Sequence, residues 1–295
     1  MKFGTMAIVG CPNVGKSTLV NTIVKQKIAI VSDKPQTTRS RILGVAHFPE
    51  GQLALLDTPG LHRPWHQLNK RMVQAALDTV HDADLLAVMV DGRQKPGAGD
   101  REVIEQVFSL TDRSKNKPAF LLVNKIDLMS KPKMLPVIEA YQQLGEWSEI
   151  VPLSAKTGLN VDRLRDLVFA QLSEHEGAYE EDFVTDQSLR CLAAEIVREK
   201  VLEQTRKELP YAVAVKIDEF KEKGRLFLIA ASIVVEKTGQ KAIVIGKSGQ
   251  RLKEIGTAAR LDLEREMCVK VFLDLHVKVR GAWRDNEQML IELGY

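Results

Sequence analysis

The chain has 295 residues, 44% of them apolar, with 42 Lys and Arg against 39 Asp and Glu. That length suits two domains, and a formal net charge of +3 points to no partner by itself. Cys11, Cys191 and Cys268 are too far apart for a disulfide framework or a cysteine-based metal site, which fits a reduced compartment. The opening MKFGTMAIVG is neither a secretory signal nor a span, and ADLLAVMV is too short to cross a bilayer.

Residues 6–9 form a short apolar run, the pattern of a buried strand. The next eight, 10–17, read GCPNVGKS and match G-x-x-x-x-G-K-[ST], with an amphipathic segment at 17–24 directly behind. Strand, glycine-rich turn and helix start are the context of a phosphate cradle, because the loop amides and the free amides of the helix N-terminus converge on an anion. Gly10 and Gly15 let the main chain approach closely, and Cys11, Pro12, Asn13 and Val14 span the turn. Lys16 brings a point charge, Ser17 offers a hydroxyl to Mg²⁺, and Thr18 follows it into the helix.

A second apolar strand, 52–56, runs into LLDTPG at 55–60. Asp57 then stands at a strand's C-terminal end, where open α/β sheets bind ligands. It can hold Mg²⁺ through water, Thr58 and Pro59 shape the turn, and Gly60 can offer its amide to the last phosphate. Some GTPases place a water-orienting glutamine next; here it is Leu61. His62 and His66 are four apart, but Pro64 lies between them and no third ligand is evident, so they are read as loop rather than metal ligands.

Helix patterns follow at 68–80, 100–108, 135–144 and 161–171, interleaved with strand patterns at 85–91, 119–123 and 149–152. Alternation of this kind predicts an α/β fold, a mostly parallel sheet with helices on both faces. NKID at 124–127 follows the second of these strands. Asp127 can accept from a guanine N1–H and amine, a donor pair that adenine lacks, and a buried carboxylate facing adenine would stay unpaired. Asn124 can bond the ring edge or tie loops together, and the stem of Lys125 can cover the base. SAK at 154–156 follows the last strand, where the amides of Ala155 and Lys156 can meet guanine O6. The order of the four motifs predicts GTP rather than ATP. A nucleoside-phosphate kinase would use the same cradle, but NKID and SAK oppose it; a scaffold that holds GTP without turning it over stays open through Leu61.

Residues 174–186 carry Glu174, Glu176, Glu180, Glu181, Asp182 and Asp186 and no Lys or Arg, and are read as an acidic linker between domains at 1–173 and 187–295. Beyond it the pattern is helix (189–204), strand (211–218), a turn at Gly224, strand, two helices (240–245 and 251–267) split by GKSG, and strand (269–279).

These motifs, with the fragments PQTTRSRILG, DTPGLH, YEEDFVTD and KAIVIGKSGQRLKEIGTAAR, resemble the bacterial Era family of GTPases over essentially the whole chain. The resemblance implies a P-loop GTPase domain followed by a smaller α+β type II KH domain. It implies hydrolysis of GTP to GDP and phosphate with Mg²⁺ held by Ser17, Thr38 and Asp57, Thr37 being the alternative to Thr38 in the QTTR loop. Lys16, Asn13, Thr38 and Gly60 become the catalytic candidates. Relatives with a hydrophobic residue at the Leu61 position use the loop asparagine to help hold K⁺, which would place K⁺ beside Asn13; the other reading of Asn13 is a loop cap. Turnover is expected to be slow and partner-stimulated.

In the KH reading, Gly246, Lys247, Ser248 and Gly249 clamp nucleic-acid backbone, flanked by Lys241, Arg251 and Lys253, with Ile243 and Ile245 lining an apolar groove. GKSG stands where GKGG is frequent in the family. The implied partners are the 3′ end of 16S rRNA and the 30S subunit, whose maturation such proteins assist. The chain is expected to be monomeric and cytoplasmic, with peripheral membrane association carried only as a family trait.

Overall fold

The computed structural model describes residues 1–34, 36–61, 65–110, 117–205 and 209–295, apart from the side chains of Lys131 and Pro210. The chain divides into two compact units: Met1–Ala29 with Thr38–Pro64 and Asn69–Asp186, and Ile30–Thr37 with Trp65–Leu68 and Gln187–Tyr295.

The first unit is built on β1 (Lys2–Val9), β2 (Ile42–Phe48), β3 (Gly51–Asp57), β4 (Leu85–Asp91), β5 (Ala119–Asn124) and β6 (Glu149–Pro152). Their order in the sheet is β2-β3-β1-β4-β5-β6, with every pairing parallel except β2 against β3. The central strands are apolar on both faces because helices cover both. Met6, Ile8, Leu55 and Phe120 face one core and Ala7, Val9, Leu56 and Leu121 the other. Helices α1 (Lys16–Val24) and α5 (Val161–Gln171) close the first core; α2 (Gln67–Asp82), α3 (Ala98–Leu110) and α4 (Lys131–Gln142) serve the second.

The pattern reading has no strand at 42–48. That segment is the antiparallel edge, fixed by a hairpin partner, and its Gly44 leaves room for Ile28 and Val24. The acidic 174–186 segment lies along this unit. Thr185 bridges Gly44, the Val45 amide donates to the Val184 carbonyl at 2.8 Å, and Gln52 Oε1 takes the amides of Ala178 and Tyr179 at 3.0 and 3.1 Å. Tyr179 stacks on Phe183 with centroids 4.9 Å apart. Its aromatic residues anchor it while its acids face water.

The second unit holds α6 (Leu189–Gln204), β7 (Ala214–Lys223), β8 (Leu226–Val235), α7 (Thr238–Ile245), α8 (Gln250–Met267) and β9 (Lys270–Val279). Strand order is β7-β8-β9, antiparallel then parallel, with a bulge between Ile217 and Glu219. The three helices cover one face over a core of Ile196, Val197, Ile229, Ile233, Ile255 and Leu263. Lys200 on α6 reaches Asp262 on α8 at 2.8 Å and Glu203 at 3.1 Å. A short turn at Trp283–Asp285 and α9 (Glu287–Glu292) complete the unit and have no counterpart in the sequence reading. Trp283 is fully buried and donates Nε1–H to the Ala212 carbonyl at 3.0 Å. Replacing it with Ala leaves a large cavity and an unpaired carbonyl. Denaturant unfolding of Trp283→Ala should show the second unit weakened by about 3–5 kcal/mol; a loss below about 1 kcal/mol would contradict this packing.

Candidate functional site

The C-terminal ends of β1, β3, β4, β5 and β6 bring five loops to one edge of the first sheet, where such folds bind ligands. The loop after β1 is held open by local geometry. Gly15 sits at φ 109°, and a Cβ there would strike the Asn124 amide nitrogen. Gly60 passes so close to Pro12 that any Cβ would meet its backbone nitrogen. Val14 is buried in the core beneath the loop.

Lys16 is almost wholly buried and folds onto the loop, donating to the carbonyls of Gly10 and Cys11 at 3.1 and 3.0 Å. Ser17, Thr38 and Asp57 converge. Ser17 Oγ donates to Asp57 Oδ2 at 2.6 Å and lies 2.8 Å from the Thr38 hydroxyl, which reaches the same carboxylate oxygen at 3.2 Å. The Thr37 hydroxyl instead donates to the Lys34 carbonyl at 2.7 Å, so the hydroxyl brought to Ser17 is that of Thr38.

Asp57 is fully buried, and its Oδ1 has no hydrogen-bond partner among the described residues. Burial pushes its carboxyl up and pushes the Lys16 ammonium down, each tempered by the other's charge. Two hydroxyls and a carboxylate are hard oxygen donors of the kind Mg²⁺ takes, and the orphaned Oδ1 fits a missing cation-bound water. Ser17 and Thr38 would hold the ion, and Asp57 would hold it through water. Burial and the neighbouring Asp100 push the Cys11 thiol up to about 12, so it stays neutral beside an anion site.

Asn124 ties the loops together: its Nδ2 donates to the Val14 carbonyl at 2.7 Å and its Oδ1 accepts the Ala155 amide at 2.9 Å. The Ala155 amide therefore has a partner inside the protein. Ser154 is fully buried and its hydroxyl accepts the Thr157 amide at 3.2 Å. Lys156 and Asp127 are exposed, the latter on a short turn at Ile126–Leu128, so the protein by itself does not bury that carboxylate. The Thr58 hydroxyl donates to the Ile8 carbonyl at 2.7 Å and fixes the turn to β1. Leu61 is buried in the core, its amide on the Gly10 carbonyl at 3.1 Å. His62 lies outside the described residues, and His66 Nδ1 is 2.8 Å from the Asp285 carboxylate.

Asp91, at the end of β4, is absent from the sequence reading. It takes Lys125 Nζ at 2.9 Å, and that ammonium also donates to the Asn13 carbonyl at 2.6 Å. Arg93 donates to both oxygens of the same carboxylate at 2.6 to 3.2 Å. Burial pulls the Asp91 carboxyl up, but Arg93 and Lys125 outweigh it and hold it at about 2. An isolated acid at a strand end carries no motif; only pairing with β5 shows its use.

In the second unit, the turn between α7 and α8 has Gly246 at φ 73°, Ser248 at φ 50° and Gly249 at φ 78°. Ser248 thus occupies a left-handed position that glycine adopts at less cost. Lys247 is exposed, Lys241 half-buried, and Arg251 donates to the Ile243 carbonyl at 2.5 Å, bracing the loop. A groove of about 390 Å³ runs beside it, lined by Gly249, Leu252, Lys253, Gly256, Leu273 and Leu275 among others. Neither Ile243 nor Ile245, the residues read as lining an apolar groove, is among its lining; of the loop and its flanks, Gly249 and Lys253 are. Ile243 is 47% exposed, and Ile245 packs against the core. Gly256, Leu273 and Leu275 went unread because their shared wall exists only once α8 packs on β9.

This fold and these loops define a P-loop GTPase carrying a KH module. Residues 5–125 match the family model described as 50S ribosome-binding GTPase, and residues 208–284 match the KH domain model. The GTPase Era of Geobacter metallireducens is 48% identical over 294 residues, covering 99% of this chain and 97% of that protein; that of Heliobacterium modesticaldum is 44% identical over 297 residues, covering 100% and 97%. A solved structure of an Aquifex aeolicus Era point variant bound to GDP.AlF4- has a TM-score of 0.94 at 41% identity, covering 100% of this chain and 99% of that one. Another, Era in complex with MgGDPNP and nucleotides 1506-1542 of 16S ribosomal RNA, has a TM-score of 0.95 at 41% identity, with the same coverage. The chain belongs to the Era family of GTPases. No helix among the described residues is long and apolar enough to cross a membrane.

Replacing Asp91 with Ala releases Lys125 from its orienting partner. Dissociation of a fluorescent GDP should then show affinity for GDP and GTP reduced by about tenfold alike, the scale of one charged hydrogen bond. Unchanged dissociation would contradict this role.

Proposed function

We propose that the chain is a GTP-hydrolysing switch that binds the 3′ region of 16S rRNA and assists 30S subunit maturation. The observation that carries the reading is the convergence of Thr38, Ser17 and Asp57 beside the phosphate loop: a hydroxyl from the loop before β2 meets the cation position, where a nucleotide-bound ion can order or release that loop. The Era complex with MgGDPNP and 16S rRNA nucleotides supports Mg²⁺, guanine nucleotide and rRNA as ligands. The groove between α8 and β9 supports a single-stranded RNA site of about four nucleotides.

In this mechanism, bound Mg²⁺ would supply charge neutralisation at the phosphates. The loop amides and Lys16 hold the tail in place. Asp127 selects guanine, and Lys125, steadied by Asp91, covers the base. Gly60 offers its amide to the γ-phosphate. Water attacks the γ-phosphorus, the bond to the β–γ bridging oxygen breaks, and that oxygen leaves with GDP while phosphate carries the water oxygen. Leu61 is buried and cannot orient the water, which supports a second cation as the missing charge stabiliser: K⁺ held with the help of Asn13. Release of phosphate frees Thr38 and with it the loop. We infer action as a monomer in the cytoplasm, with any membrane association peripheral.

A phosphate-release assay in K⁺ and in Na⁺, with and without the 3′ region of 16S rRNA, tests the reading. K⁺ and the RNA should each raise turnover, and Thr38→Ala should lose both effects. Equal rates in the two salts would remove the K⁺ proposal; indifference to the RNA would remove the switch.

A further inference from the structure

The sheet of the second unit has two faces: α6, α7 and α8 cover one, and on the other Trp283 and α9 adjoin only the end at Ser232 and Val234. Along β9, Val271, Leu273, Leu275 and Val277 turn to the core, so Lys270, Phe272, Asp274, His276 and Lys278 turn the other way. Phe272 is 60% exposed. The register sets it beside Leu228, with the exposed Leu226 beside Lys270. On the β7 side, Lys221 pairs with Leu228 and Lys223 with Leu226. An exposed aromatic ring, an exposed leucine and a half-buried one therefore lie together with lysines on both flanks.

Carboxylates on this face are engaged: Glu219 with Lys221, Asp218 with Lys278 at 3.3 Å, and Asp274 with His276 at 3.5 Å. Lys270 is 79% exposed, 3.6 Å from Glu264. Such a face suits a nucleic-acid base, whose π-surface stacks on an exposed ring while phosphates meet the lysines.

Its position argues the same way. β9 is an edge strand, opposite β7. Leu273 and Leu275 form the wall of the groove, and Phe272 is the next residue on the opposite face of that edge. We propose that the open face around Phe272 is a second single-stranded RNA contact, continuous with the groove. A nucleotide beyond those held in the groove crosses the β9 edge, stacks its base on Phe272 and sets its phosphate near Lys270 and Lys221. This rests on the reading of the groove as an RNA site.

The test is fluorescence anisotropy of the full chain with two oligoribonucleotides from the 3′-terminal region of 16S rRNA, one of four nucleotides and one of about ten. Phe272→Ala should weaken the longer RNA about tenfold and leave the shorter unchanged, and Phe272→Trp should restore the longer one. Gly256→Leu, which fills the groove with a residue that helices favour, should weaken both. Thermal melts confirm that the variants fold. If Phe272→Ala leaves the longer RNA unaffected while Gly256→Leu weakens both, the proposal is overturned and the face is left for a protein partner. Equal loss for both lengths also overturns it. If Gly256→Leu changes neither, the groove reading fails and takes this proposal with it.

Discussion

Asp57 is a carboxylate at zero solvent exposure that the protein only half satisfies. One oxygen collects the hydroxyls of Ser17 and Thr38; the other has no partner among the described residues. Burying a charge with an unused oxygen costs stability, and proteins keep such arrangements where a ligand later supplies the missing partner. Lys16 is the complementary half, a buried ammonium resting on its own loop carbonyls. The site is thus poised for an anion and a cation together.

The remainder of the first unit keeps this pair in register. β1 and β3 run parallel side by side, so the turns at their ends arrive at the same level, and Thr58 pins one turn to the other strand. Asn124 and Lys125 each grip the phosphate loop from β5, through the carbonyls of Val14 and Asn13. The NKID loop and the glycine-rich loop after β1 are therefore one hydrogen-bonded body. Pairing both contacts to backbone carbonyls makes this independent of the loop's side chains.

The local patterns made most of this legible. GCPNVGKS, DTPG, NKID and SAK each stand at a strand end, as their spacing requires, and the α-β-β-α-α-β order of the second unit follows from alternation and turns. What local pattern could not supply were features made by long-range pairing. Ile42–Phe48 becomes a strand only beside β3, and Asp91 becomes useful only beside β5. Trp283 reads as a lone aromatic in a polar tail but fills a core. The acidic 174–186 segment reads as a linker because its charges are visible in sequence, whereas its contacts with Gln52 and Gly44 are not. Asp127 shows the reverse case: its motif is plain in sequence, yet the protein itself leaves the carboxylate exposed.

The central claim is that Asp57 is retained for a bound cation at the expense of the empty fold. It is tested by thermal unfolding of wild type and Asp57→Asn, without nucleotide and with saturating Mg²⁺ and GTP. The account predicts that the variant is at least as stable as wild type when empty, since a poorly solvated charge is gone, and that it loses most of the added stability conferred by Mg²⁺ with GTP. A variant that melts well below wild type when empty, yet gains as much from Mg²⁺ and GTP, would contradict it.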